Sequence, residues 1–349
     1  MTHATCRQWL LADRPTGRPL KDSDFKLVDA PLGEPGDGEL LVRTLWLGFD
    51  PAQKGWMENI GGYVAPMQIG DVIRGSGVGQ VVASNAAGFA PGDLVTGLLG
   101  WREYLVTDGA GLMKLSDGGP ATAYLGVLGT TGLTAYFGLN KIGRPSAGET
   151  VVVSGAAGAT GSVAGQIAKL TGCRVVGIAG GADKCAWLTG ELGFDAAVDY
   201  KAGDVRRQLA DLCPDGIDVF WDNVGGSILN DGLALLAMHA RVVICGGISR
   251  YQVGRMPAGP ENYFNVVFKR ARIEGFIVLD YMDEYPLARK RLARWIDDGR
   301  IRYREDVQEG FENAPRTLMR LFEGANVGKQ LLKVAEPDWD CHPHRHPPA

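Results

Sequence analysis

From Thr150 onward, short apolar runs alternate with amphipathic ones, and that alternation leaves few folds open. TVVVSG, RVVGIAG, AAVDY, GIDVFWDNVG, ARVVICGG and RIEGFIV read as strands. TGSVAGQIAKLTG, DKCAWLTGELG, DVRRQLADLC and SILNDGLALLA read as the helices between them, with VVFKRA a short helix before the last strand. Six apolar strands joined by helical crossovers predict an α/β fold with a doubly wound parallel sheet, because only strands covered on both faces can be apolar throughout. At the first strand–helix turn, Gly155, Gly158 and Gly161 form G-x-x-G-x-x-G. Glycines there permit a tight turn, let the backbone approach a pyrophosphate and leave the N–H groups of a helix start to hold it. The pattern is informative because it falls at that turn, the context a dinucleotide site requires.

The rest of the chain has another texture. Up to about residue 126 it reads as β-rich, with GELLVRTLWLGF, DVIRGSGVGQVVAS, GDLVTGLLG and WREYLVTD as short runs bounded by Gly, Asp and Pro. After about residue 300, YREDVQEGFENAPRTLMRLFEGANVGKQLLKV reads as strand, helix, strand, returning to the first domain. The expected division is 1–126 with 305–349 as one domain and 127–304 as the other. A length of 349 residues suits two domains, and 45% apolar with 22% charged residues suits globular ones.

Charge and residue counts exclude several functions. A net charge of −4 argues against general binding to nucleic acid or a membrane surface. No apolar run reaches the ~18 residues of a membrane span, and the N-terminal apolar stretch is too short for a signal peptide, so a cytoplasmic protein is expected. The six cysteines form no C-x-x-C pair. Of five histidines only His239 lies in the body of the chain, at an expected helix–strand junction, which leaves no multi-histidine metal site; no metal is expected. The tail CHPHRHPPA reads as disordered.

The second strand discriminates between the two nicotinamide cofactors. A dinucleotide whose ribose 2′-OH is free usually meets an acidic residue about 20 positions after the glycines. Here the strand ends in Gly180 and Gly181, with Lys184 a few residues on, and a cation there matches a 2′-phosphate. Asp183 lies close by, so charge alone does not decide the matter. The expected cofactor is NADP(H).

At this point the chain resembles the medium-chain dehydrogenase/reductase superfamily. More narrowly it is similar to the zinc-independent group of prostaglandin reductases, leukotriene B4 12-hydroxydehydrogenases and alkenal double-bond reductases. GTTGLTAYFGL, GAAGATGSVAGQIAKLTGC, ELGFDAAVDYK, WDNVGG, CGGISRY, IEGFIV, GFENAP and NVGKQLLKV carry the resemblance, in the family's order over nearly the whole chain. It implies a β-rich GroES-like catalytic domain beside a Rossmann NADP-binding domain. Gly158, Ala159, Thr160 and Gly161 would then line the pyrophosphate, and Lys184 and Tyr200 the 2′-phosphate. Asn223, Cys245 and Ile248 would line the groove. Thr130 and Thr134 would sit near the nicotinamide, with Phe276, Ile277 and Val278 presenting backbone to it and Asn326 closing the cleft.

The implied reaction is NADPH-dependent reduction of the C=C bond of α,β-unsaturated aldehydes or ketones, of the alkenal/one or 15-oxoprostaglandin 13-reductase type. Hydride addition at the β-carbon puts charge on the carbonyl oxygen, and a donor there stabilises it. Tyr251 in ISRY matches the family tyrosine for that role. Zinc members carry Gly-His-Glu where this chain reads RGSGVGQV, with neither His nor Glu. Relatives also carry Asp-Pro-Tyr-Met where this chain reads FDPAQKGWM. Ala52 therefore replaces a tyrosine of the substrate pocket, leaving Trp56, Met57 and Tyr63 as candidate lining or as ordinary packing residues. Two other readings compete: an NADPH-dependent quinone oxidoreductase on the same scaffold, and a cofactor-binding protein without turnover. A homodimer is expected, with IEGFIVLDY as the strand edge that pairs with its mate.

Overall fold

The computed structural model describes residues 5–58, 62–115, 119–251 and 259–338. The chain forms two compact units. One holds Met1–Leu125, Asp306–Ala325 and Lys329–Ala349; the other holds Gly126–Glu305 and Asn326–Gly328. The three residues Asn326–Gly328 thus join the second unit, although the sequence places the whole stretch after 305 with the first. The reason is local: the Gly328 N–H donates to the Ala157 carbonyl at 2.8 Å, and Gly328 bridges Gly158.

The first unit opens with β1 (Thr5–Leu11) and β2 (Phe25–Pro31), paired antiparallel with Trp9 opposite Leu27. Next come β3 (Leu40–Gly48), the short helix α1 (Ala52–Met57), β4 (Gly77–Ser84), β5 (Leu94–Gly97), β6 (Tyr104–Thr107) and β7 (Met113–Lys114). β3 is the hub of an antiparallel sheet, pairing with β4 along its length and with β6 over Leu40–Arg43. Register shifts at Leu41/Val42 and Thr44/Trp46 interrupt the β3–β4 ladder, and bulges of this kind bend a strand and increase its twist.

The second unit begins with α2 (Thr130–Phe137). It then runs β8 (Thr150–Ser154), α3 (Ala159–Leu170), β9 (Arg174–Ala179), α4 (Ala182–Gly190), β10 (Ala196–Asp199), α5 (Val205–Leu212), β11 (Ile217–Asp222), α6 (Gly226–Ala234), β12 (Leu236–Ile244), α7 (Asn265–Phe268), β13 (Arg272–Gly275) and α8 (Tyr285–Asp297). Its sheet has the order β10-β9-β8-β11-β12-β13, with neighbouring strands parallel. This is the Rossmann order, and strand order reverses between β8 and β11, which is where such sheets bind ligands. Val151, Val152 and Val153 of β8 are fully buried, as a central parallel strand requires. Helix α5 shows how local sequence sets an element: the Asp204 carboxylate accepts the Arg207 N–H at the N-cap, and Val205 and Leu209, one turn apart, face the core.

One boundary differs from the sequence reading. The stretch SILNDGLALLA is helical only to Ala234, and Leu236–Ile244 is a strand that runs through His239. His239 has φ +63° and donates its N–H to the Lys269 carbonyl. It sits in a register shift of β12 against β11, so an outward bulge, invisible to periodicity, starts the strand early.

The chain then returns through β14 (Glu305–Glu309), α9 (Ala314–Glu323) and β15 (Lys329–Lys333), and β15 pairs antiparallel with β3. Helix α9 buries Ala314, Leu318 and Leu321 along one face and stops at Gly324 in the left-handed conformation. The first unit's core joins both ends of the chain. Leu11, Phe25, Leu47, Phe49 and Trp101 pack with Phe311, Leu318 and Leu332, and the Trp101 ring stacks on Phe25 with 5.6 Å between centroids. No helix among the described residues is long and apolar enough to cross a membrane.

Candidate cofactor and substrate site

The glycine turn leaves β8 at Ser154. Gly155 takes φ +59°, and Gly158 stands at the N-cap of α3 with no side-chain cap hydrogen bond. A Cβ on Gly161 would lie 2.4 Å from the Gly155 carbonyl oxygen, so only glycine lets the helix start fold back on the turn. The first-turn N–H groups of α3 lack partners one turn back within the helix, as at every helix start, and with the helix dipole they favour an anion.

Three turns at the carboxyl ends of β8, β11 and β12 are stitched together by Asp222, a residue the sequence reading passed over. Its buried carboxylate accepts the Ser154 hydroxyl at 2.7 Å and the N–H groups of Val224 and Gly225 at 3.0 Å. Burial pushes its carboxyl above the usual range in spite of these donors. The Asp222 carbonyl accepts the N–H groups of Cys245 and Gly246, and the Asn223 carbonyl accepts that of Ile248. Asn223 is itself fixed: its side-chain amide donates to the Ser154 carbonyl at 2.6 Å and accepts from the Trp221 indole. The Ser249 hydroxyl donates to the Val224 carbonyl, and Tyr251 follows, its N–H on the Ile248 carbonyl. Asn223, Cys245, Ile248 and Tyr251 therefore share one hydrogen-bonded rim with the glycine turn. The signal available in the sequence was an acidic residue ending the strand beside the topological switch.

At the end of β9, Gly180 lies against the Tyr200 ring, which a Cβ there would meet at 2.7 Å. Lys184 is in the first turn of α4, half-buried, and Tyr200 is exposed. The nearby Asp199 carboxylate accepts the Gly181 and Lys201 N–H groups, each at 2.9 Å, and these bonds hold its carboxyl below the usual range. That carboxylate is thus committed to backbone, while a lysine and a phenol stand at the strand end. These residues fit a ribose 2′-phosphate.

The other cofactor-groove candidates are also in the second unit. Thr130 is exposed at the start of α2, and the Thr134 hydroxyl donates to its carbonyl at 2.7 Å. The Phe276 ring meets Trp221 edge-on, the Ile277 carbonyl accepts the Asp280 N–H, and the Val278 carbonyl accepts the Tyr285 hydroxyl. The Asn326 amide donates to the Gly328 carbonyl at 2.9 Å, beside the glycine turn.

The substrate-pocket candidates belong to the first unit. Ala52 opens α1, Trp56 is half-buried under the Arg74 guanidinium, and Tyr63 is 53% exposed. Met57 is fully buried in the core cluster with Phe49 and Trp101 and presents no surface, so its place here is one of packing. The short helix is held by a buried pair, Lys54 with Glu58, and by Gln53, whose amide donates to the Arg74 carbonyl. Among the described residues, no group of three or more His, Cys, Asp or Glu side chains is placed to hold a metal ion.

The sheet order, its glycine turn and the rim beside it define a two-unit α/β dinucleotide-binding protein. Residues 7–115 match the family described as the N-terminal domain of oxidoreductase, and residues 159–294 the one described as zinc-binding dehydrogenase. The chain is 42% identical to the NADPH-dependent curcumin reductase of Escherichia coli, over 95% of this chain and 98% of that one. It is 40% identical to the NADP(+)-dependent 2-alkenal reductase of Nicotiana tabacum, over 94% and 97%. The crystal structure of CurA in complex with NADPH from Vibrio vulnificus superposes with a TM-score of 0.90 at 40% identity, covering 95% of this chain and all (100%) of that one. The chain belongs to the medium-chain dehydrogenase/reductase superfamily, in its zinc-independent prostaglandin and alkenal reductase group.

The cysteines yield a pH prediction. Burial, with the Asp222 carboxylate adding to it, pushes the Cys245 thiol to about 12, and burial pushes Cys173 and Cys213 to about 11. Each therefore holds its proton more tightly folded than unfolded, where the value is near 9. Their contribution to stability is complete below pH 9 and is lost as pH rises toward 11–12. Thiolate is the reactive form, so peptide mapping after iodoacetamide treatment at pH 8 is expected to find Cys173 and Cys213, both buried, unmodified in the folded protein and modified in urea. Rapid labelling of folded Cys173 or Cys213 would contradict the assignment.

Proposed function

We propose that this protein is an NADPH-dependent reductase of the C=C bond of α,β-unsaturated aldehydes and ketones. The observation that carries the reading is the rim that Asp222 ties together, which sets Tyr251 on the same hydrogen-bonded frame as the pyrophosphate turn. The names of the curcumin and 2-alkenal reductases support the substrate class. When bound, NADPH supplies the hydride; a proton completes the saturation of the double bond. The chain's part is to orient and to stabilise charge. Gly158, Ala159, Thr160 and Gly161 hold the pyrophosphate, and Lys184 and Tyr200 the 2′-phosphate. Asn223, Cys245 and Ile248 wall the groove, and Asn326 closes it. Thr130, Thr134 and the backbone of Phe276–Val278 set the nicotinamide end.

The Tyr251 hydroxyl hydrogen-bonds the substrate carbonyl oxygen, where negative charge grows as the β-carbon is reduced. Residues Met1–Leu125, with the returning segment, form the substrate domain, and Ala52, Trp56 and Tyr63 shape its pocket. In the place of a tyrosine, Ala52 leaves room for a bulkier substituent.

We also infer a cytoplasmic homodimer. β13 closes one end of the parallel sheet, and Ile273 on it is 41% exposed. Phe264, Val267 and Phe268 just before it are more than half exposed. A strand edge flanked by apolar side chains favours pairing with a second copy.

Three outcomes test these readings. NADPH oxidation followed at 340 nm should show turnover of trans-2-hexenal to hexanal, and Lys184→Ala should raise KM for NADPH at least about tenfold, a loss of ~1.4 kcal/mol, with NADH kinetics unchanged. Equal effects on both cofactors would remove Lys184 from the 2′-phosphate. Tyr251→Phe should lower kcat about tenfold or more; unchanged turnover would exclude the tyrosine from the reaction. Light scattering should give a dimer mass for the wild type and a monomer mass for Ile273→Lys, whereas a monomeric wild type would refute the dimer.

A further inference from the structure

Consecutive residues near the end of the chain are fastened on opposite sides of one peptide bond. Gly328, in the second unit, donates its N–H to the Ala157 carbonyl at 2.8 Å and bridges Gly158 in the glycine turn. Its φ is +72°, and a Cβ would lie 2.1 Å from the Arg304 carbonyl oxygen, so the position admits only glycine. Lys329 follows in the first unit. Its side chain is 3% exposed, and its ammonium lies 2.5 Å from the Asp50 carboxylate. Next to it, the Gln330 carbonyl accepts the Phe49 N–H at 3.1 Å.

Asp50 is the entry to α1. Its N–H donates to the Gln53 side chain at 3.0 Å, and Pro51 and Ala52 start the helix that carries Trp56. An ion pair whose ammonium is buried while its carboxylate keeps 28% of its side chain exposed is a costly way to hold two segments together, since apolar residues of similar volume serve as well or better. This one stands where the segment leaving the cofactor turn meets the segment that opens the substrate helix.

We propose that Lys329 is a positioning residue. Through Asp50 it sets the start of α1, and through its peptide bond to Gly328 it ties that start to the pyrophosphate turn. Cofactor and substrate therefore bind with positive coupling. This rests on the reading of the chain as an NADPH-dependent reductase.

The coupling is read on binding alone, with a dead-end complex that does not react. NADPH affinity is measured by fluorescence in the wild type with and without saturating hexanal, the saturated product of trans-2-hexenal. Coupling between two ligands is reciprocal and typically amounts to about fivefold or more. Hexanal is expected to tighten NADPH binding by at least about that factor. Lys329→Arg should keep most of the effect. Lys329→Met and the double variant Asp50→Asn/Lys329→Met should lose it, while still binding NADPH and melting cooperatively. The double variant leaves no lone charge, so it carries the test if the single variant does not fold. A wild-type factor of one overturns the proposal. So does a double variant that keeps the wild-type factor, and so does one that fails to fold, which would make the pair purely structural. If the wild type turns over no enal, the functional reading fails and this proposal with it; a factor of one beside normal enal turnover overturns this proposal alone.

Discussion

A carboxylate with almost no access to water holds the carboxyl ends of three strands in one frame. Asp222 takes the Ser154 hydroxyl from the strand before it in the sheet and two N–H groups from its own turn, while its carbonyl takes two more from the turn after β12. Such a group is stable only when its acceptor sites are filled, so the turns have little freedom to move apart. The glycine turn, the Asn223 amide and the segment leading to Tyr251 inherit their positions from it. Rigid placement of this sort is what oriented hydride chemistry needs, because small displacements of a reacting pair cost large factors in rate.

Much of the fold is legible in the sequence for a physical reason. Parallel strands buried on both faces must be apolar throughout, and β8, β9 and β11 carry runs such as VVV, RVVGIA and IDVFWD. The glycine spacing is equally legible, since Gly155 is dictated by a φ of +59° and Gly161 by a 2.4 Å approach rather than by composition. What stayed hidden depends on partners far away in the chain. Asp50 and Lys329 are 279 positions apart, and nothing near either announces the other. The assignment of Asn326–Gly328 to the second unit turns on one hydrogen bond to Ala157. Met57, directly after the half-buried Trp56 in a short helix with no apolar period, gives no hint that it faces the core. His239 marks a bulge that no run of apolar residues could reveal.

The first unit holds two kinds of ion pair. Exposed pairs such as Arg316 with Glu323 contribute little to stability. Lys54 and Glu58 are both buried, Lys329 is buried against the partly exposed Asp50, and the two pairs cluster around one six-residue helix in the first unit. That helix is too short to be stable on its own, so its place is set by these pairs and by Gln53 rather than by helix propensity. A helix held in this way has a fixed backbone with replaceable side chains, which suits variation at Ala52 without loss of the frame.

The return of the chain has a consequence for biosynthesis. β3 is paired along one edge by β6 and β15, and Phe311, Leu318 and Leu332 complete the core around Trp101. Roughly 190 residues separate β7 from β14, about 10–40 s of translation at ~5–20 residues per second. During that interval the second unit, whose contacts are internal to one nearly continuous stretch, can fold at the ribosome. The first unit must wait with an open strand edge and an unfinished apolar core. Such half-built sheets aggregate readily. The burden on chaperones thus falls on the first third of the nascent chain, and it ends only when the segment from β14 to β15 emerges.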